Sequence, residues 1–166
     1  QDILAEGWSS VMENTQVLLD DATCYESEVR YPTDVKLLQE CCVWLHQQFF
    51  GLRSELGLPK LRDDKFLAAL QRYKKYSRMR RKSRKKAKRL RTSLLYWLKK
   101  WDGLLQELLN HYPAIHQGMV DKNFYNRLKT IRIVFVQQEY MHLNNVRKVP
   151  HRIISLAKPY LRPIVR

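Results

Sequence analysis

The sequence has little that would build a disulfide framework, a zinc site or a membrane span. Its only cysteines are Cys24, Cys41 and Cys42, and no spacing of His and Cys resembles a zinc site. An odd number of thiols is typical of the reducing cytosol. No apolar run is long enough to span a bilayer, and the N-terminus lacks the features of a secretory signal. We therefore expect a cytoplasmic protein that does not cross a membrane.

Acidic residues are also missing from one stretch, residues 72–91, which carries thirteen of the 31 Lys and Arg residues. The other eighteen bases are balanced by sixteen acids, so the net charge of +15 is concentrated in one segment. Such a local excess predicts a polyanionic partner, nucleic acid first and an anionic membrane surface second. The segment has too few large apolar residues to insert into a membrane. The predicted DNA-binding residues are Arg72, Lys74, Lys75, Arg78, Arg80, Arg81, Lys82, Arg84, Lys85, Lys86, Lys88, Arg89 and Arg91.

Helical periodicity dominates the rest of the chain. Thr33 is a good N-cap, and Asp34 in the first turn suits the dipole of a helix that runs to about residue 55. Gly57 and Pro59 then predict a break. The predicted buried face of this helix consists of Leu38, Cys41, Leu45, Phe49 and Leu52.

A second and a third helix are predicted from residue 63 to residue 112. One continuous helix of this length would extend about 75 Å, which is too long for so small a domain. We therefore predict a turn near residues 81–84 and an antiparallel hairpin with a cationic tip. The predicted seam of the third helix consists of Leu90, Leu94, Trp97, Trp101, Leu104 and Leu108. Tyr73 is interleaved with the bases, but its helical spacing favours the core over stacking on nucleic acid.

A last helix is predicted over residues 122–145, and its predicted buried face consists of Phe124, Leu128, Ile131, Val134 and Phe135. The two ends of the chain differ from this pattern. Residues 2–14 fit a short helix, and residues 16–20 fit a strand that ends in acids. The segments at 152–156 and 161–165 look extended, because nearby prolines exclude further helix.

The predicted fold class is therefore mainly α, an antiparallel bundle of about four long helices with a short two-stranded β remnant. We divide the chain into an N-terminal helix and strand at 1–32, a helical region at 33–149, and an extended segment at 150–166. The chain stops directly after an apolar segment, which indicates a fragment of a longer protein.

Specific motifs lie at the two ends of the chain. They are Leu-Leu-Asp-Asp-Ala-Thr at 18–23, Arg-Tyr-Pro-Thr-Asp at 30–34, Arg-Ile-Ile-Ser-Leu at 152–156 and Pro-Tyr-Leu-Arg-Pro-Ile-Val-Arg at 159–166. In this combination the chain resembles bacterial insertion-sequence transposases of the DDE class, which have an RNase H-like catalytic fold. The helical middle resembles that family in its basic, helical character more than in specific sequence motifs. The resemblance implies that residues 33–149 are a basic helical insertion between strands of the catalytic sheet.

The resemblance also implies a site and a cofactor. Asp21 corresponds to the first metal-binding carboxylate of the family, with the adjacent Asp20 as the alternative. The family uses three carboxylates to hold two Mg²⁺ ions for displacement at phosphorus. The other two are expected after Arg166, so this chain alone should bind no Mg²⁺ tightly and be inactive. Implied partners are DNA at the transposon ends and further copies of the chain.

Two alternatives remain open at this point. The chain could be a self-contained helical protein that binds nucleic acid and catalyses nothing. Asp21 could be an acid that caps a turn, and Asp34 could serve only to start its helix. A longer reading frame with two further carboxylates would favour the transposase.

Overall fold

The computed structural model describes residues 34–146 and 148–160. The chain divides into two units, Gln1–Pro32 and Thr33–Arg166, and every described residue belongs to the second. The predicted helix over 2–14 and the predicted strand over 16–20 lie outside the described residues. So do Asp20 and Asp21.

Four α-helices and one short 3₁₀ helix, η1, form the described part of the chain. The helices are α1 (Asp34–Glu55), α2 (Asp64–Ser77), α3 (Arg84–His111), η1 (Pro113–Gln117) and α4 (Lys122–Leu143). These bounds confirm a mainly helical fold with the four predicted helices. None of the helices in the part of the chain that the structure describes is long and apolar enough to cross a membrane.

The end of α1 lies at the predicted break. Gly57 adopts a positive φ of 65°, which costs a residue without a Cβ very little. Its N–H donates to the carbonyl of Ser54 at 3.1 Å, and the N–H of Leu58 donates to the carbonyl of Arg53 at 2.9 Å. These two hydrogen bonds form a Schellman motif, which satisfies the last carbonyls of the helix. The chain is thereby turned from α1 toward α2.

Helices α2 and α3 form the predicted antiparallel hairpin. The beginning of α2 lies against the middle of α3, because the ring of Phe66 contacts those of Trp97 and Trp101, each at 5.4 Å between centroids. The end of α2 and the beginning of α3 are joined by residues 78–83, which are not helical. The predicted turn near residues 81–84 is therefore confirmed.

The core is formed mainly by α1 packing against α3. All five residues of the predicted α1 face are buried, and so is the α3 seam except for the half-buried Leu104. On α4, Asp121 caps the N-terminus by accepting a hydrogen bond from the N–H of Phe124 at 2.8 Å. Of the predicted buried face of α4, Phe124, Leu128, Ile131 and Val134 are buried, and Phe135 is half-buried against the core.

Cys41 and Cys42 behave as core residues. Both are free thiols and fully buried on α1. Burial raises the pKa of Cys41 to about 12 and raises that of Cys42 well above its ordinary value. The thiol of Cys42 donates to the carbonyl of Leu94 at 3.2 Å, which links α1 to α3.

Residues 148–160 contain no strand. The backbone that was expected to be extended is held instead by a side chain of α4. Gln137 accepts from the N–H of Ile153 at 3.0 Å and donates to the carbonyl of His151 at 3.2 Å. Ile153 and Leu156 are buried in the helical core. A helix side chain therefore satisfies groups that a neighbouring strand would otherwise bond, while the predicted partner strand lies outside the described residues.

Candidate nucleic-acid interface

The thirteen predicted DNA-binding residues lie around the tip of the α2–α3 hairpin. Three are on α2, four are in the connection at 78–83, and six are on the first turns of α3. Local sequence explains this arrangement, because the turn between two helices brings the basic ends of both to the same place. We call the basic residues at 72–89 the cationic tip.

The residues of the cationic tip are exposed and electrostatically uncompensated. All twelve are exposed to solvent. Every ion pair found among the described carboxylates involves a base outside this group. Twelve positive charges without a described counterion create a strong positive potential over the tip, which attracts polyanions.

The thirteenth base, Arg91, has a different role. Its Nη1 lies 3.5 Å from Oδ2 of Asp34, and Arg152 pairs with the other oxygen of the same carboxylate. Gln138 also donates to Asp34, at 3.3 Å. We call Asp34, Arg91, Gln138 and Arg152 the Asp34 junction. Arg91 is therefore half-buried and links α3 to α1.

The Asp34 junction could not be read from the sequence. Asp34 does lie in the first turn of α1, as expected for a residue that starts a helix. Two of its partners lie 104 and 118 positions away along the chain, however, where no periodicity relates them to it.

The two tyrosines interleaved with the basic residues are turned toward the core. Tyr76 is buried and Tyr73 is half-buried. Burial, followed by the charge of Glu40, raises the pKa of Tyr73. Lys82 places its Nζ over the ring of Tyr76, 5.9 Å from the centroid. The cationic tip therefore presents charge rather than aromatic rings.

Sequence reasoning missed three exposed residues further along α3, beyond the basic run. Tyr96, Lys99 and Lys100 share the outer face of α3 with Lys85 and Arg89 of the cationic tip, because 3.6 residues complete one turn. Lys100 places its Nζ 5.1 Å from the centroid of Trp97. The signal that would have found them is the helical spacing itself, continued past residue 91.

His142 of α4 lies beside Thr92 of α3, directly after the basic run. Its Nε2 is 3.0 Å from Oγ1 of Thr92 on α3. Partial burial, then the positive charges of Arg91 and Lys88, lower the pKa of His142. The neutral imidazole is therefore favoured at this position.

A second exposed surface has the opposite character. Ile133, Val136, Tyr140 and Leu143 are exposed on α4 at spacings of three, four and three residues. This spacing is typical of a helix face that packs on another helix. On the described surface, this apolar stripe and the cationic tip are formed by different helices.

The predicted metal ligands Asp21 and Asp20 are outside the described residues. Within 34–146 and 148–160, no group of three or more His, Cys, Asp or Glu side chains is arranged to hold a metal ion.

Comparison with known proteins identified no relative of this chain. No protein-family model matches the chain, and neither a curated protein nor a solved structure shows a significant match.

Proposed function

We propose that the cationic tip binds the phosphate backbone of nucleic acid, and of duplex DNA first. The observation that carries this proposal is the set of twelve exposed bases without a described carboxylate partner. Phosphates would relieve the repulsion between these bases, and the release of condensed counterions would drive the association. Lys and Arg clusters contact mainly the backbone, so we expect little sequence preference.

The side chains of the tip argue against a membrane surface as the partner. The apolar residues in the connection and in the first turn of α3 are Met79 and Ala87, and both pack against the core. A membrane-bound helix needs large apolar side chains directed away from its protein. Duplex DNA requires only the charge that the tip presents.

We further propose that the DNA-binding region belongs to a transposase of the DDE class. The motifs at 18–23 and 30–34 support this, as do those at 152–156 and 159–166. Under this proposal, Asp21, or Asp20 in its place, binds Mg²⁺ in the complete enzyme, and the DNA is a transposon end. The two-stranded β remnant and multimer formation belong to the same proposal.

A non-catalytic helical DNA-binding protein remains the second candidate. The observation in its favour is that α1, α2, α3 and α4 enclose one continuous hydrophobic core. A longer reading frame with two further carboxylates on strand or helix ends would support the transposase.

The DNA-binding proposal is tested by measuring affinity for duplex DNA at several salt concentrations. If six bases contact phosphates, the logarithm of the association constant should fall against the logarithm of salt concentration with a slope of about −5. Replacing Arg80, Arg81, Lys82, Arg84, Lys85 and Lys86 with Gln should abolish most of this slope and weaken binding more than about tenfold at low salt.

A matched control removes the same charge elsewhere. Six other exposed bases are replaced with Gln, namely Lys60, Arg62, Lys65, Lys122, Lys129 and Lys148. We expect the control to keep most of the affinity and of the slope. A flat salt response of the unmodified protein would overturn the proposal. Equal losses in the two variants would show that net charge, and not the cationic tip, attracts the DNA.

A further inference from the structure

The outer face of α3 extends the positive surface beyond the cationic tip. Lys85, Arg89, Tyr96, Lys99 and Lys100 are all exposed on this face. From residue 85 to residue 100 the face is about 22 Å long. Glu107 occupies the same face further on and is exposed. Because a carboxylate repels phosphate, the track for a polyanion ends before Glu107.

Tyr96 is the aromatic residue of this track. It is 60% exposed, whereas Trp97 and Trp101 of the same helix are buried. Its ring contacts that of the buried Trp97 edge to face, with centroids 5.3 Å apart and planes inclined at 76°. This contact supports the ring from below and leaves much of its surface open to a ligand.

Positive charge surrounds the Tyr96 ring along the helix. Arg89 precedes it by seven residues, and Lys99 and Lys100 follow it by three and four. Residues at these spacings lie on one helix face. Lys100 places its ammonium group over the ring of Trp97, and the ring of Trp97 in turn contacts that of Tyr96. An open aromatic ring among cations is the arrangement with which proteins bind single strands.

We propose, on the basis of the DNA binding proposed above, that the outer face of α3 binds an unpaired stretch of DNA adjoining a duplex. The duplex backbone lies on the cationic tip. Tyr96 stacks on an unpaired base, and Lys99 and Lys100 neutralise the flanking phosphates. A base pair inside a duplex hides both of its faces in the stack, so the interior of a duplex offers the Tyr96 ring no base to stack on. Stacking of this kind tolerates any base, in keeping with weak sequence preference.

The test compares a blunt duplex with the same duplex carrying a five-nucleotide single-stranded tail. The unmodified protein should bind the tailed DNA about tenfold more tightly, as expected for one stacked base. Tyr96→Leu should remove this preference and leave blunt-duplex binding unchanged. Tyr96→Phe, which keeps the ring and loses the hydroxyl, should retain it. Tyr140→Leu removes another exposed tyrosine, on α4, and should have no effect.

A fluorescent 2-aminopurine in the tail provides a second readout. Its emission should be quenched by the unmodified protein and by Tyr96→Phe, but not by Tyr96→Leu. If the tail preference survives Tyr96→Leu, or if Tyr96→Phe loses it, stacking by Tyr96 is wrong. In either case salt-dependent binding of the blunt duplex would still uphold the cationic tip. If the unmodified protein binds neither DNA, the proposed function fails, and the stacking site fails with it.

Discussion

The two ends of the α2–α3 hairpin have opposite character. One end, which we call the root, is where Phe66 of α2 packs against Trp97 and Trp101 of α3, and the other is the cationic tip. At the root, Phe66 is fully buried, and its ring lies 4.8 Å from that of His46 on α1 and 5.4 Å from that of Trp101. At the tip, basic side chains are exposed and no described carboxylate pairs with them. Apolar burial holds the hairpin in place, so the charges need no partners within the described fold. The buried root thus leaves the tip available for a ligand.

Two arginines two positions apart repeat this contrast on a smaller scale. Arg89 belongs to the tip and is exposed, while Arg91 belongs to the Asp34 junction and is half-buried. A step of two residues turns the side chain by about 200° around the helix axis. Two residues of the same type therefore differ in environment: Arg91 pairs with Asp34 within the fold, whereas Arg89 is exposed to solvent.

The largest expected effect is at the root. Phe66→Ala should lower the free energy of unfolding by about 3–4 kcal/mol, because it removes a fully buried ring and leaves a cavity between α1, α2 and α3. The neighbouring Leu67 is 45% exposed, so Leu67→Ala should cost less than about 1 kcal/mol. Urea unfolding followed by circular dichroism measures both values. Similar losses of unfolding free energy in the two variants would mean that burial of Phe66 does not stabilise the packing of the hairpin against α1.

A smaller effect should separate the two arginines. Arg91→Gln should lower the free energy of unfolding by up to about 1 kcal/mol, because Asp34 loses one of its two charged partners. Arg89→Gln should change it by less than about 0.5 kcal/mol.

DNA binding should rank the same two variants in the opposite order. Arg89→Gln should make the salt slope shallower by about 1, and Arg91→Gln should leave the slope unchanged. A change of slope in Arg91→Gln alone would place Arg91, and not Arg89, on the DNA.

The smallest expected effect concerns His142 of α4, which contacts Thr92 of α3. Because its pKa lies below the ordinary value of 6.5, the unfolded chain takes up the proton more readily than the folded protein. The stability linked to His142 is therefore complete above pH 6.5 and is lost as the pH falls through 6.5 toward the folded pKa. An NMR titration of the imidazole measures that pKa directly.

The same titration also tests what lowers the pKa of His142. Arg91→Gln and Lys88→Gln should each raise the pKa of His142 part of the way toward 6.5, because burial is the larger cause and remains. A pKa of His142 at or above 6.5 in the unmodified protein would contradict the structure at this contact.

Much of the helical fold could be predicted because its signals are local. Asp34 lies in the first turn of α1, and Gly57 follows its end in a left-handed conformation. The seam from Leu90 to Leu108 follows from spacings of three and four residues. Such patterns depend on the geometry of a single helix, so neighbours along the chain are enough to reveal them.

The segment at 152–156 shows where local reasoning stops. The nearby Pro159 correctly indicated the absence of a helix, but the partner of the segment's backbone is the side chain of Gln137 on α4. A hydrogen bond between residues 16 positions apart has no periodic signal. The Asp34 junction escaped prediction for the same reason.

The sequence by itself determined that this protein is helical and that its charge is concentrated in one basic run, because both properties depend on residues close together in the chain. Only the tertiary structure decided how those bases are used. In the folded protein Arg91 pairs with Asp34 of α1, Tyr76 is buried, and Tyr96 is exposed on the same helix face as Lys99. Which face of a helix meets solvent depends on the elements packed against it, and these lie far away in sequence.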